Sequence, residues 1–134
     1  MSVPEPRYDA HVARTLAPYP EKTLVDYLDE LAVTAPTRTA LHFKGSTVTY
    51  AALGAVSEAF AAALVARGLR RGDRVALLLP NCPQFLIAQF GIWKAGGVVT
   101  PLNPTYSEHE LAELLDGTRA ESVVVLTPFY DKVK

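Results

Sequence analysis

Arg67, Arg70, Arg71 and Arg74 lie within eight residues, and a basic cluster so spaced can in principle bind an anion. They follow a helical pattern, at the end where cations favour the helix dipole, so a solvated connection is the expected reading. Cys82, the sole cysteine, stands at the start of a predicted helix, where the dipole can lower a thiol pKa. No histidine lies near it in sequence to act as a base, and a small residue filling the first turn is expected there. His11, His42 and His109 lack the i, i+4 spacing of a helical zinc pair, and one cysteine excludes both an internal disulfide and a Cys-rich zinc site. Asp73, between Gly72 and Arg74, reads as turn chemistry. Tyr50 and Trp93 could stack on a flat ligand, but each falls on the apolar period of its element, which predicts core packing.

In open α/β sheets, ligands gather at the carboxyl ends of the parallel strands. The three predicted strand ends here are Pro80-Asn81-Cys82, Pro101-Leu102-Asn103 and Thr127-Pro128. They carry neither a glycine-rich phosphate cradle nor a carboxylate. Without G-x-G-x-x-G after a strand, and without G-x-x-x-x-G-K-[ST], a dinucleotide fold and a P-loop NTPase have no support. A phospho-acceptor receiver domain would need carboxylates at the same ends. No catalytic, cofactor-binding or metal-binding residue is therefore assigned.

The elements that would position any site are legible in outline. A chain of 134 residues with 49% hydrophobic and 20% charged content is that of a globular protein, and a net charge of −1 argues against nucleic acid or an anionic membrane as partner. No signal core opens the chain, and the apolar residues 75–99 are broken by Pro80, Asn81, Pro83, Gln84, Gln89 and Lys94, so no transmembrane span of about 20 residues is expected. These features predict a cytoplasmic protein.

Pro4, Pro6, Pro18 and Pro20 make residues 1–22 a predicted extended arm, and residues 23–134 a predicted α/β unit. Thr23 precedes Leu24, Tyr27, Leu28 and Leu31 at helical spacing, with Asp26 in the first turn and Pro36 as the stop. Leu41/Phe43 and Val48/Tyr50 flank Lys44-Gly45-Ser46 as a hairpin. Leu53, Val56, Phe60 and Leu64, with Ala59 and Ala63, mark the buried face of a second helix. Gly68 and Leu69 fit a Schellman stop.

The apolar run 75–79 predicts a strand covered on both faces. Asn81 as N-cap with Gln84 as its reciprocal partner, and Pro83 in the first turn, open a third helix. That helix is apolar nearly all round and is expected to be buried between layers until Gly96-Gly97. Val98-Val99-Thr100 resumes the sheet. Ser107 and Glu110 pair as a capping box for a fourth helix that Gly117 should stop, and residues 122–126 form the third buried strand. The alternation predicts a parallel sheet with helices on both faces, preceded by a β-hairpin.

Four strings carry a family resemblance. Thr47-Val48-Thr49-Tyr50-Ala51-Ala52-Leu53 resembles L-T-Y-x-E-L, the first core motif of adenylate-forming (AMP-binding) enzymes. Trp93-Lys94-Ala95-Gly96-Gly97-Val98-Val99-Thr100-Pro101-Leu102-Asn103-Pro104 resembles their second, K-A-G-x-x-x-x-P-L-[ND]-P. Between them, residues 68–75 resemble the G-[LV]-x-x-G-D-R-V turn and residues 81–85 the N-x-x-[EQ]-[FY] helix start. The resemblance covers residues 19–134, and Tyr19-Pro20-Glu21-Lys22-Thr23-Leu24 is most similar to bacterial long-chain fatty acid–CoA ligases. Ala52 departs from the motif, since a Glu there would complete a capping box with Thr49.

The resemblance implies the initial part of the large amino-terminal domain of an acyl-CoA synthetase. Such an enzyme joins a fatty acid to ATP as an acyl-adenylate and then passes the acyl group to coenzyme A. ATP, Mg2+ and CoA are the cofactors it implies for the full-length enzyme, and none is expected to bind this chain alone. The family's phosphate loop ending in Pro-Lys-Gly, its later acid and arginine, and its far carboxyl-terminal lysine have no counterpart before Lys134. A chain bearing only the first layers should be inactive and should self-associate through uncovered apolar surface. The alternatives are a free-standing binding module on a reused scaffold, or a piece of a ligase for aryl or amino acids.

Overall fold

In the computed structural model, which describes Asp9, Val12, Ala13, Thr15 and residues 17–134, Thr23 is the N-cap that opens the first helix. Pro4, Pro6 and His11 lie outside the described residues. Helix α1 (Leu24–Thr34) starts with a complete capping box: the Thr23 side chain accepts from the Asp26 N–H, and the Asp26 carboxylate accepts from the Thr23 N–H. Helix α4 (Glu108–Thr118) opens the same way with Ser107 and Glu110. In each box the backbone N–H, and then the hydroxyl, hold the carboxyl below its usual pKa. A lowered folded pKa stabilises above the unfolded value, about 3.9 for Asp and 4.3 for Glu. Helix content followed by circular dichroism should therefore be flat from pH 7 to about pH 5 and fall as acid protonates both boxes through their lowered pKa values. A profile unchanged in Asp26→Asn/Glu110→Gln would contradict this.

Strands β1 (Thr39–Phe43) and β2 (Ser46–Thr49) form an antiparallel hairpin, with Leu41 opposite Val48 and Phe43 opposite Ser46. Its two turn residues, Lys44 and Gly45, both have positive φ, 46° and 81°, as a right-twisted two-residue hairpin requires. Thr49 is the last strand residue and also the N-cap of α2 (Tyr50–Ala66), accepting from the Ala52 N–H at 3.2 Å. Tyr50, read from the sequence as a strand residue, therefore opens the helix instead. The cap is one-sided, as alanine at Ala52 requires.

Three parallel strands, β3 (Arg74–Leu78), β4 (Val98–Leu102) and β5 (Ser122–Val125), are ordered β4-β3-β5. Helix α3 (Pro83–Lys94) connects β3 to β4, and α4 connects β4 to β5. Val75, Leu77 and Leu79 pack with Ala88 and Ile92 of α3 and with Phe60 and Leu64 of α2, while Ala76 and Leu78 pack with Leu111 and Leu115 of α4. The two helical layers thus take alternate side chains of β3, whose Val75, Ala76, Leu77 and Leu78 are fully buried. The expected parallel sheet covered on both faces is present.

Local signals decided some boundaries and packing overruled others. The Schellman stop of α2 is complete: the Leu69 N–H donates to the Leu64 carbonyl at 3.1 Å, the Gly68 N–H donates to the Val65 carbonyl at 2.9 Å, and Gly68 has φ 99°. Asn81 is not the cap of α3. Pro83 lacks an N–H and presets φ, so it takes the first helical position and Cys82 becomes an N-cap with no side-chain bond. Nor does Gly117 stop α4, which runs to Thr118 and turns at Arg119 in the left-handed region (φ 53°, ψ 40°).

The buried face of α2 is Leu53, Gly54, Ser57 and Ala61, whereas Val56, Ala59 and Ala63 are exposed. Helix α3 buries Ala88, Gly91 and Ile92 only; Leu86, Ile87, Phe90 and Trp93 are half-covered, so the expected burial on all sides is corrected. Val123, Val124 and Val125 are likewise half-covered because β5 is a sheet edge.

Lys94 locks the three helices together. Its side chain is 9% exposed, and its ammonium bridges Asp29 of α1 and Glu58 of α2, the latter at 3.1 Å. Burial lowers its pKa, but the hydrogen bonds to the two carboxylates outweigh burial and hold it above the ordinary lysine value.

Candidate functional site

The connection leaving β3 enters α3 on one face of the sheet, and the connection leaving β4 enters α4 on the other. Where neighbouring parallel strands send their chains to opposite faces, a crevice opens at their carboxyl ends. A cavity of about 620 Å³ lies there. Leu79, Pro80, Asn81 and Phe85 wall it from the β3 side, residues 101–106 from the β4 side, and Phe129 closes it from a 3-10 turn (Thr127–Lys132).

The loop after β4 and the terminal turn are held by hydrogen bonds. Asn103 folds the loop after β4 by accepting from the Thr105 N–H through Oδ1 at 3.0 Å and from the Tyr106 N–H through its carbonyl at 3.1 Å. The Lys132 ammonium donates to the carbonyls of Pro104 and Tyr106, both at 2.9 Å, and so ties the terminal turn to that loop. Sequence reading missed Lys132, and no local signal could have found it, because its partners lie 26 and 28 residues away.

Two of the three strand ends read from the sequence meet in this crevice, through Pro80, Asn81 and residues 101–103; from the third, Phe129 lines it in place of Thr127 and Pro128. Among the described residues, its lining contains no carboxylate, imidazole, ammonium or guanidinium group. It can take up an apolar or neutral hydrogen-bonding group, but it cannot neutralise a triphosphate or act as a carboxylate base.

The other candidates disperse. Asp73 is turn chemistry: its carboxylate accepts from the Arg70 N–H at 2.7 Å while its N–H donates to the Arg70 carbonyl at 3.1 Å. Arg67 borders a groove of about 720 Å³ beside β5, Arg71 lies against Gly96, and Arg74 enters β3. The four arginines do not converge on one ligand position. His109 is exposed and pairs with Glu113 at 3.4 Å.

Cys82 and His42, far apart in sequence, help line one pocket of about 350 Å³ between the hairpin and α3. Trp93 stands edge-on to Phe90 at 5.6 Å and flanks Lys94. Among the described residues no three His, Cys, Asp or Glu side chains gather as a metal would need, and no described helix is long and apolar enough to cross a membrane.

The family model described as AMP-binding enzyme matches residues 28–134. A long-chain-fatty-acid–CoA ligase of Bacillus subtilis (strain 168) is 39% identical over 115 residues, which are 86% of this chain and 20% of that protein. Among solved structures, a Mycobacterium tuberculosis fatty acyl CoA synthetase superposes with a TM-score of 0.74 at 30% identity, over 79% of this chain and 22% of that one. The Klebsiella oxytoca NpsA N-terminal subdomain in complex with anthranilyl-AMSN gives 0.74 at 31%, over 78% and 27%. The chain spans about a fifth of the length of the curated relatives it matches.

Proposed function

The chain belongs to the AMP-binding enzyme family, and from that premise we propose that it forms the first α/β layers of a fatty acyl-CoA synthetase. The observation that carries this reading is the 39% identity to a long-chain-fatty-acid–CoA ligase over 86% of the chain. The proposed whole enzyme couples a fatty acid with ATP to give acyl-adenylate and pyrophosphate, and the thiol of CoA then displaces AMP to give the thioester. ATP is used with Mg2+.

The residues at the strand ends do not fit these groups. Among the described residues, the crevice lining offers no cation for a triphosphate and no carboxylate for a metal, and we assign no step of the reaction to it. The chain's part is to build and brace the scaffold. The NpsA complex with anthranilyl-AMSN favours, as a second reading, a ligase for an aryl acid.

The test is ATP–pyrophosphate exchange. The chain alone should give none with either acid class. A hybrid in which it replaces the matching residues of the B. subtilis ligase should retain fatty-acid-dependent exchange. Exchange by the chain alone, or a folded hybrid without exchange, would sink the proposal, and a hybrid active only with anthranilate would favour the second reading.

We also infer that copies of the chain associate through β5. The β4 edge carries Pro101, which has no N–H to offer a neighbour. The β5 edge is Ser-Val-Val-Val beside the 720 Å³ groove and has no such guard. Light scattering should show dimers as concentration rises, and Val124→Lys should shift the population to monomer; a wild-type monomer at every concentration contradicts the inference.

A further inference from the structure

Sheet register brings two arginines and a hydroxyl together at the end of the sheet opposite the crevice. Ala76 and Leu78 of β3 face α4, so Arg74, two residues before Ala76, falls on that same face. Thr100 stands opposite Ala76 in the β3–β4 register and shares it. The last turn of α4 completes a cleft of about 360 Å³ lined by Arg74, Thr100, Gly117, Thr118 and Arg119.

Among the described residues, no carboxylate lines the cleft and neither guanidinium forms an ion pair. Thr118 turns its hydroxyl back onto the Leu114 carbonyl at 2.7 Å, which leaves Arg74, Thr100 and Arg119 as the lining residues with side-chain donors not engaged in that bond. Gly117 lines the cleft, and a Cβ built on it would meet nothing within 4 Å, so there is open space beside this position.

Arg119 is the informative residue. It adopts φ 53° and ψ 40°, a left-handed conformation in which glycine caps a helix without strain and an arginine does not. The strained choice keeps a guanidinium beside the opening. The carboxyl end of α4 opposes an anion weakly, and Asp116 and Glu121, neighbours in sequence, stay outside the lining. Two guanidinium forks, each able to bind two oxygens at once, outweigh that opposition.

We propose that this cleft binds a compact phosphate group. The proposal is independent of the ligase reading and uses residues remote from the crevice. Inorganic phosphate titrated into 15N-labelled chain at constant ionic strength should give saturable shifts at the amides of Thr100, Thr118 and Arg119. Arg119→Gly removes the donor and relieves the backbone, so it should bind about tenfold more weakly or worse with no loss in melting temperature. Gly117→Leu fills the cleft without altering charge and should abolish the shifts.

Vesicles of phosphatidylcholine with phosphatidic acid separate the two sources of phosphate. Co-sedimentation lost in Arg119→Gly assigns a lipid headgroup, and phosphate shifts without co-sedimentation assign a soluble phosphate. Shifts that never saturate, binding unchanged in both variants, or neither phosphate nor vesicles bound would overturn the proposal.

Discussion

Gly91→Val is expected to destabilise the chain by about 1–3 kcal/mol, read as a lower urea midpoint at unchanged slope. Helices α2 and α3 cross with almost nothing between them at this point. A Cβ on Gly91 would stand 2.7 Å from Phe60 Cδ1 and 3.0 Å from the Ser57 carbonyl oxygen. The phenyl ring could turn aside, but the carbonyl belongs to the α2 backbone and cannot.

Valine gains at most about 0.5 kcal/mol over glycine in helix propensity, so the clash wins. The separation that forbids a side chain also encloses Ser57, which is fully buried with its hydroxyl unpartnered among the described residues. Gly117→Ala is the control: it lies in α4 with open space around it, and there propensity should win, stabilising by about 0.5–1 kcal/mol. Equal effects at the two glycines would remove the close crossing from the account.

Leu77→Ala should cost about 2–5 kcal/mol, through lost transfer free energy plus the cavity left behind. Leu77 is fully buried at the middle of β3, with Pro101 on one side and Val124 on the other. Its neighbours come from four elements, β4, β5, α2 and α3, and cannot collapse together into the space, which places it toward the upper part of that range. Against a typical total of 5–15 kcal/mol, such a loss leaves the fold marginal at 25 °C. Leu114→Ala, at a position 37% exposed on α4, should change stability by less than about 0.5 kcal/mol. A Leu77→Ala midpoint within that smaller margin would refute the two-faced burial of β3.

What could be read in advance was local. Gly68-Leu69 and Ser107/Glu110 announce a stop and a start because each motif closes its bonds within six residues. Residues 75–79 announce a covered strand because both faces are apolar. Reading failed where two local rules competed or a distant partner decided. Asn81 has the side chain of a cap, but proline two residues later fixes the boundary at Cys82. Gly117 looks like a stop, yet helix bonds carry through it and the turn falls on Arg119.

The apolar count of α2 favoured Val56, but the buried face joins Leu53 to the small residues Gly54, Ser57 and Ala61, because α1 comes close at Gly54 and α3 at Ser57. The crevice was half legible. Its location follows from strand alternation, and its lack of charge follows from the residues at the strand ends. The Lys132 tie, the meeting of His42 with Cys82 in one pocket, and the cleft beneath α4 depend on register between distant segments.

The strand order also sets a timetable for folding. β3 is the central strand, and both strands that pair with it come later in the chain, β5 nearly fifty residues later. During synthesis its backbone groups must wait: after β4 emerges one side of β3 is satisfied, and the other stays open until residues 122–125 leave the ribosome. Pairings of such long reach close slowly, and an apolar strand left half-paired is exposed to foreign edges in the interval. The segment that most needs shelter is thus the one whose shelter is delivered last.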